Sequence, residues 1–126
     1  MTRKIPKISD AEWQVMKILW HSSPQTSNEI AEKLADPNNW NPRTVKTFLN
    51  RLVNKKALGF KREGRIYQYY PLIHEHECTR EARKSFLSRV YDGALKPMLA
   101  AFLEDEKLSP AEIEELKRIL EQKKEE

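Results

Sequence analysis

The sequence predicts a mainly α-helical chain in which three helices are followed by a β-hairpin and then by three more helices. Two changes of hydrophobic period and a division of charge predict it. Apolar residues recur at helical spacing from Ala11 to Val53, change to a strand-like pattern between Leu58 and Tyr70, and return to helical spacing beyond His74. Residues 1–71 carry 13 Lys/Arg against 6 Asp/Glu, whereas residues 72–126 carry 10 against 13. Pro71 closes the hairpin, so the expected domains are residues 1–72 and residues 73–126.

The first helix starts after Ser9, which stands three residues before Glu12 at capping-box spacing. Ala11, Val15, Ile18 and Leu19 form its apolar stripe, and it ends near His21, before Ser22-Ser23-Pro24. Thr26 or Ser27 caps a short second helix from Asn28 to about Ala35, which buries Ile30, Ala31 and Leu34 and stops at Asp36-Pro37. Asn41 caps the third helix, with Pro42 at the first helical position, where its missing N–H is harmless. That helix runs to about Lys56 on a stripe of Val45, Phe48, Leu49, Leu52 and Val53. Leu58–Arg62 and Arg65–Tyr70 then form two strands, with Gly64 supplying the positive φ of a tight turn. The fourth helix covers about Glu75 to Tyr91, with Gly93 as its stop. The fifth covers Ala94 to Glu104, and the sixth starts from the cap Ser109 with Pro110 at its first position.

Three helices followed by a two-stranded wing is the order of a winged helix-turn-helix. The third helix is the one to test for a nucleic-acid face. Opposite its apolar stripe fall Arg43, Thr47, Asn50 and Asn54, with Thr44 and Arg51 beside them and Lys46 and Lys55 at the flanks. No acidic residue occurs from Asn38 to Gly59, and residues 43–65 hold eight basic groups against Glu63 alone. A basic patch this local suits a polyanion, although charge by itself fits a solvated basic face equally well. The side chains favour DNA: Arg can donate twice to a guanine edge, Asn can pair with adenine, and a Thr methyl can lie on thymine. Arg43, Thr44 and Thr47 are expected at bases, with Lys46, Asn50 and Arg51 beside them. Lys55, Lys61, Arg62 and Arg65 are expected at phosphates.

Residues 73–126 are rich in large apolar side chains, more than three short helices can cover. Pairing of two copies is expected, through Phe86, Leu87, Val90, Leu95, Met98, Leu99, Phe102, Leu103, Leu116, Ile119 and Leu120. A two-fold dimer would present two reading helices to a palindromic site.

Three runs of residues resemble one family. Ile5-Pro6-Lys7-Ile8-Ser9-Asp10-Ala11-Glu12 with Val15-Met16, then Trp40-Asn41-Pro42-Arg43-Thr44-Val45-Lys46-Thr47 with Asn50-Arg51-Leu52, and the wing Glu63-Gly64-Arg65-Ile66-Tyr67 are similar to the penicillinase-repressor (BlaI/MecI) family. The tail from Ser85-Phe86-Leu87 through Leu103 resembles it too. The resemblance implies a homodimeric repressor of β-lactam-resistance genes that binds inverted TACA/TGTA-type half-sites. It also implies a membrane-bound sensor-protease system whose action cuts the dimerisation region. The family's cut lies between Asn and Phe, and aligns here between Ala101 and Phe102. Other members of the wider family control copper efflux.

The alternatives are weaker on the residues. His74-Glu75-His76-Glu77-Cys78 holds two imidazoles and a thiol, which keeps a copper-type, metal-responsive repressor as the second reading. Positions i and i+2 of a helix do not face each other, however, and no CxC or CxxC follows. A glycine-rich phosphate loop and a nucleophile elbow are both missing, so an enzyme is not expected, nor is a cofactor. A protein-binding adaptor without DNA would have no reason to clear acids from the third helix. The N-terminal residues have no apolar stretch of a secretory signal, no run is long enough to span a membrane, and Cys78 is alone, so a cytoplasmic protein is expected.

Overall fold

The computed structural model describes residues 4–125. Its elements are α1 (Asp10–His21), β1 (Gln25–Thr26), α2 (Ser27–Asn38), α3 (Pro42–Asn54), β2 (Leu58–Glu63), β3 (Ile66–Pro71), α4 (Glu75–Tyr91), α5 (Leu95–Asp105) and α6 (Pro110–Lys124). Each early helix starts where a side chain satisfies its free N–H groups. The Ser9 hydroxyl accepts from the Glu12 N–H at 3.2 Å, and the Glu12 carboxylate accepts from the Ser9 N–H at 2.9 Å. Thr26 and Glu29 repeat this arrangement at α2, and Ser109 and Glu112 repeat it at α6. At α3 the Asn41 side chain accepts from the Thr44 N–H at 2.9 Å, with Pro42 at the start. Asn41→Ala is expected to destabilise the N-terminal unit by about 1 kcal/mol, read as a lowered midpoint in a urea melt.

The second helix breaks at Asp36-Pro37, as expected. Asp36 takes an extended conformation (φ −118°, ψ 128°), as a residue before proline is pushed to do, and a further turn then runs on to Asn38. The sheet has three strands in the order β1-β3-β2, rather than two. Gln25 and Thr26 pair antiparallel with Tyr69 and Gln68, which ties the α1–α2 connection to the hairpin. The hairpin pairs Glu63 with Ile66 around Gly64-Arg65, and Gly64 takes φ +64° at the first loop position, where a type II′ turn requires it.

The chain falls into two compact units that meet at Ala82 and Arg83. The first holds a single core of Val15, Met16, Leu19, Ile30, Leu34, Val45, Leu49, Leu52, Leu58 and Tyr69, with Trp13, Trp20, Trp40 and Phe48 packed against it. Ile73 and Cys78 are buried in the same core, and the Trp20 indole N–H donates to the Ile73 carbonyl at 2.9 Å. The first turns of α4 therefore belong to this unit, which reaches ten residues past the boundary read at 72/73. The second unit contains α5, α6 and the rest of α4, and none of its described side chains is fully buried.

Candidate nucleic-acid interface

The buried stripe of α3, Val45, Leu49 and Leu52, turns the opposite side of the helix to solvent. Arg43, Lys46, Thr47, Asn50 and Arg51 are exposed there, and Thr44 is half-buried. Hydrogen bonds orient the two threonines. The Thr47 hydroxyl donates to the Arg43 carbonyl at 3.1 Å, and the Thr44 hydroxyl donates to the Asn41 side chain at 3.2 Å. Each hydroxyl proton is occupied, which leaves the oxygen lone pairs and the methyl group to meet a partner. Trp40 and Phe48 lie 5.0 Å apart between ring centres, so Trp40 fastens the start of α3, and the Arg51 guanidinium lies over the Phe48 ring at 5.9 Å.

Lys55 is placed differently from the expectation. Its ammonium donates to the Glu12 carboxylate at 2.5 Å and to the Lys7 carbonyl at 2.9 Å. Glu12 is only 1% exposed, and its second oxygen, Oε2, is buried without a hydrogen-bond partner. Burial on its own would raise the carboxyl pKa of Glu12. The Lys55 ammonium and the hydrogen bonds from Ser9 outweigh it and hold the carboxyl below its ordinary value. Lys55 thus neutralises a buried acid and is not a free phosphate contact, because an uncompensated charge there would be strongly destabilising.

The wing cations divide between two sheet faces. Phe60 pairs with Tyr69 and Arg62 with Tyr67, so Phe60, Arg62, Tyr67 and Tyr69 share one face. Lys61 lies on the other, beside Ser23, Pro24 and Tyr70, and does not join the α3 side. The Arg62 guanidinium sits over the Tyr67 ring at 5.7 Å and its Nε donates to the Gly64 carbonyl at 2.7 Å. Arg65 is exposed at the turn. Between α3 and the wing runs an open groove of about 580 Å³, lined by Lys46, Asn50, Val53, Asn54, Phe60, Tyr67 and Tyr69. The sequence reading counted the wing aromatics only as strand formers. The signal for their shared face was the hairpin register around Gly64.

The metal-binding alternative loses its donor set. The Cys78 thiol is in the core, with its pKa raised to about 11 by burial and by the nearby Glu77 and Glu75 carboxylates. His74 and His76 stack on each other at 5.5 Å, and both are exposed. Among the described residues no group of three His, Cys, Asp or Glu side chains is arranged to hold a metal ion. Among them, too, no helix is long and apolar enough to cross a membrane.

The residues expected to join two copies all lie in the second unit. Phe86, Leu87 and Met98 are half-buried, whereas Val90, Leu95, Leu99, Phe102, Leu103, Leu116, Ile119 and Leu120 are exposed. Phe86 stacks on Phe102 with 6.0 Å between ring centres. The Ala101–Phe102 bond lies inside α5.

Three helices, a paired wing and an acid-free outer face on α3 define a winged helix-turn-helix protein. The chain belongs to the penicillinase-repressor family, whose model it matches over residues 8–122. It is 44% identical over 122 residues to the penicillinase repressor of Bacillus licheniformis, covering 97% of this chain and 95% of that one. It is 37% identical over 123 residues to the methicillin resistance regulatory protein MecI of Staphylococcus aureus, covering 98% of this chain and 100% of that one. The solution structure of the monomeric form of Bacillus licheniformis BlaI in complex with the blaP half-operator is also similar. It matches at 44% identity and a TM-score of 0.51, covering 59% of this chain and 90% of that one.

Proposed function

We propose that the chain is a transcriptional repressor that binds inverted-repeat operator DNA as a homodimer and controls β-lactam-resistance genes. The observation that carries this reading is the outer face of α3, where Arg43, Thr47, Asn50 and Lys46 stand exposed on a rigid, capped helix beside the wing. Arg43, Thr44 and Thr47, near the helix start, read bases. Lys46, Asn50 and Arg51 stand beside them, and Arg62 and Arg65 meet phosphates. The similarity to a repressor solved on a half-operator supports operator DNA as the partner.

The second unit supplies the dimer, since its apolar side chains stay wet in the single chain. Release follows a cut between Ala101 and Phe102, made in answer to a membrane-bound sensor-protease system. The cut would part Leu95, Met98 and Leu99 from Phe102, Leu103 and Leu116, and so undo the apolar surface that joins two copies.

The test is a gel-shift titration at about 150 mM salt, where distant charges are screened, against a TACA/TGTA inverted-repeat duplex and a scrambled one. Tight binding to the repeat alone is expected. Arg43→Ala and Thr47→Ala are each expected to weaken it by about 1–3 kcal/mol, roughly five- to 150-fold. Equal binding to both duplexes would remove the operator assignment, and binding to neither would remove the DNA reading.

A further inference from the structure

Among the described large apolar side chains exposed in the first unit, Phe60 (47%), Ile66 (57%) and Tyr67 (38%) stand on the hairpin and Leu72 lies just beyond it. Phe60 and Tyr67 touch edge to face at 5.3 Å and form one wall of the groove beside α3. The opposite wall, from α3, is formed by Lys46, Asn50 and Asn54, with the partly buried Val53 between them. Arg62, held across the Tyr67 ring, adds a second cation on the aromatic side.

One wall of donors facing one wall of flat apolar rings does not suit a paired base, whose faces are covered by its neighbours in the stack. It suits the sugar–phosphate chain. Phosphate oxygens accept hydrogen bonds from ammonium and carboxamide groups, while the C–H face of a deoxyribose lies against an aromatic ring. A recognition helix seated in the major groove lies between two backbones, and the wing stands across this groove from α3, on the side where one of them would run.

Resting on the DNA reading above, we infer that this groove clamps the sugar–phosphate backbone of one operator strand, with Phe60 and Tyr67 packed on deoxyribose and Lys46, Asn50 and Asn54 on phosphate. Asn50 and Asn54 then position the protein instead of reading bases. The aromatic wall supplies affinity that depends neither on sequence nor on salt.

Phe60→Leu and Tyr67→Ala are the variants to make, with Lys46→Ala for comparison. Each binds the inverted-repeat duplex and the scrambled duplex over a series of salt concentrations, and a thermal melt follows the fold. Phe60→Leu and Tyr67→Ala are expected to weaken both duplexes by the same factor. That factor is about fivefold for Tyr67→Ala, the size expected from uncovering roughly 40 Å² of apolar surface, and smaller for Phe60→Leu. Their dependence of log K on log salt stays parallel to the parent's, whereas Lys46→Ala lowers that slope by about one. A loss confined to the inverted repeat would mean base contacts and overturn the inference, as would parental affinity in both folded aromatic variants. If Phe60→Leu melts early, Tyr67→Ala decides alone, because Tyr67 stands at the outer end of the wall. A parent chain that binds neither duplex would bring down the DNA reading itself, an outcome distinct from either of these.

Discussion

Replacing Leu103 and Ile119 together with aspartate is expected to leave a folded monomer that binds the inverted repeat about 10²- to 10⁴-fold more weakly than the parent chain. The size of the effect comes from linkage. Once one winged helix is seated, its partner meets the second half-site at a high effective concentration, and that advantage vanishes when the copies separate. Leu103 is 49% exposed and Ile119 61% exposed in the single chain, so the new charges meet water in the monomer and would be buried only in the proposed pairing. The first unit has its own core ending at Cys78 and does not depend on them. Sedimentation gives the oligomeric state, and titration against one and two half-sites gives the linkage. A variant that is monomeric yet binds the full repeat with parental affinity would show that dimerisation contributes nothing to operator recognition. A variant that remains dimeric would place the interface elsewhere.

Lys55→Met is expected to lower the stability of the first unit by about 3 kcal/mol, toward the small end of what removing one partner of a buried ion pair costs, because Lys55 itself is partly exposed. For a unit of this size that is a fall in Tm of more than about 10 °C. The loss arises from what stays behind: Glu12, 1% exposed, would keep its charge with only the Ser9 groups as partners. Glu12→Gln in the same chain is expected to recover most of the loss, since it removes the stranded charge. The dependence on pH follows from the lowered carboxyl pKa of Glu12. The ionised pair contributes fully above the ordinary carboxylate value of 4.5, and its contribution fades as pH falls through the lower folded-state value. The gap between parent and Lys55→Met is therefore expected to be widest near neutral pH and to narrow as the solution is acidified through the carboxylate range, beginning where Glu12, left to its burial, takes up a proton in the variant, followed by circular dichroism melts. Equal melting of the two chains at pH 7 would return Lys55 to the set of free phosphate contacts.

Both results bear on how the site is built. Lys55 joins the end of α3 to the start of α1 and to the Lys7 carbonyl, so α3 is held at its far end by a contact within the first unit. At its near end Asn41, Pro42 and Trp40 do the same work through the cap and the Phe48 ring. Arg43 and Thr47 thus project from a helix secured at both ends, and precise placement of base-reading groups depends on such support.

The features written in neighbouring residues were legible in the sequence alone. Ser9 and Glu12, Asn41 and Pro42, and Ser109 and Glu112 mark helix starts because a cap and its partner lie three residues apart at most. Gly64 marks the hairpin because the turn needs positive φ at one position. The outer face of α3 was legible for the same reason, since a helix of fixed pitch sorts its side chains by number alone. Only the tertiary structure decided the rest. Gln25 and Thr26 form a strand because Tyr69 and Gln68 lie opposite, and two residues carry no period of their own. Lys55 is an internal partner because Glu12, 43 positions earlier, is brought against it. Lys61 parts from Arg62 because neighbouring strand residues face opposite ways, and the side that faces α3 depends on how the hairpin docks. The first unit extends to Ala82 because Ile73 and Cys78 are drawn into a core assembled elsewhere. These contacts join residues far apart in sequence, and what selects them is the shape of the assembled core, to which no local spacing corresponds.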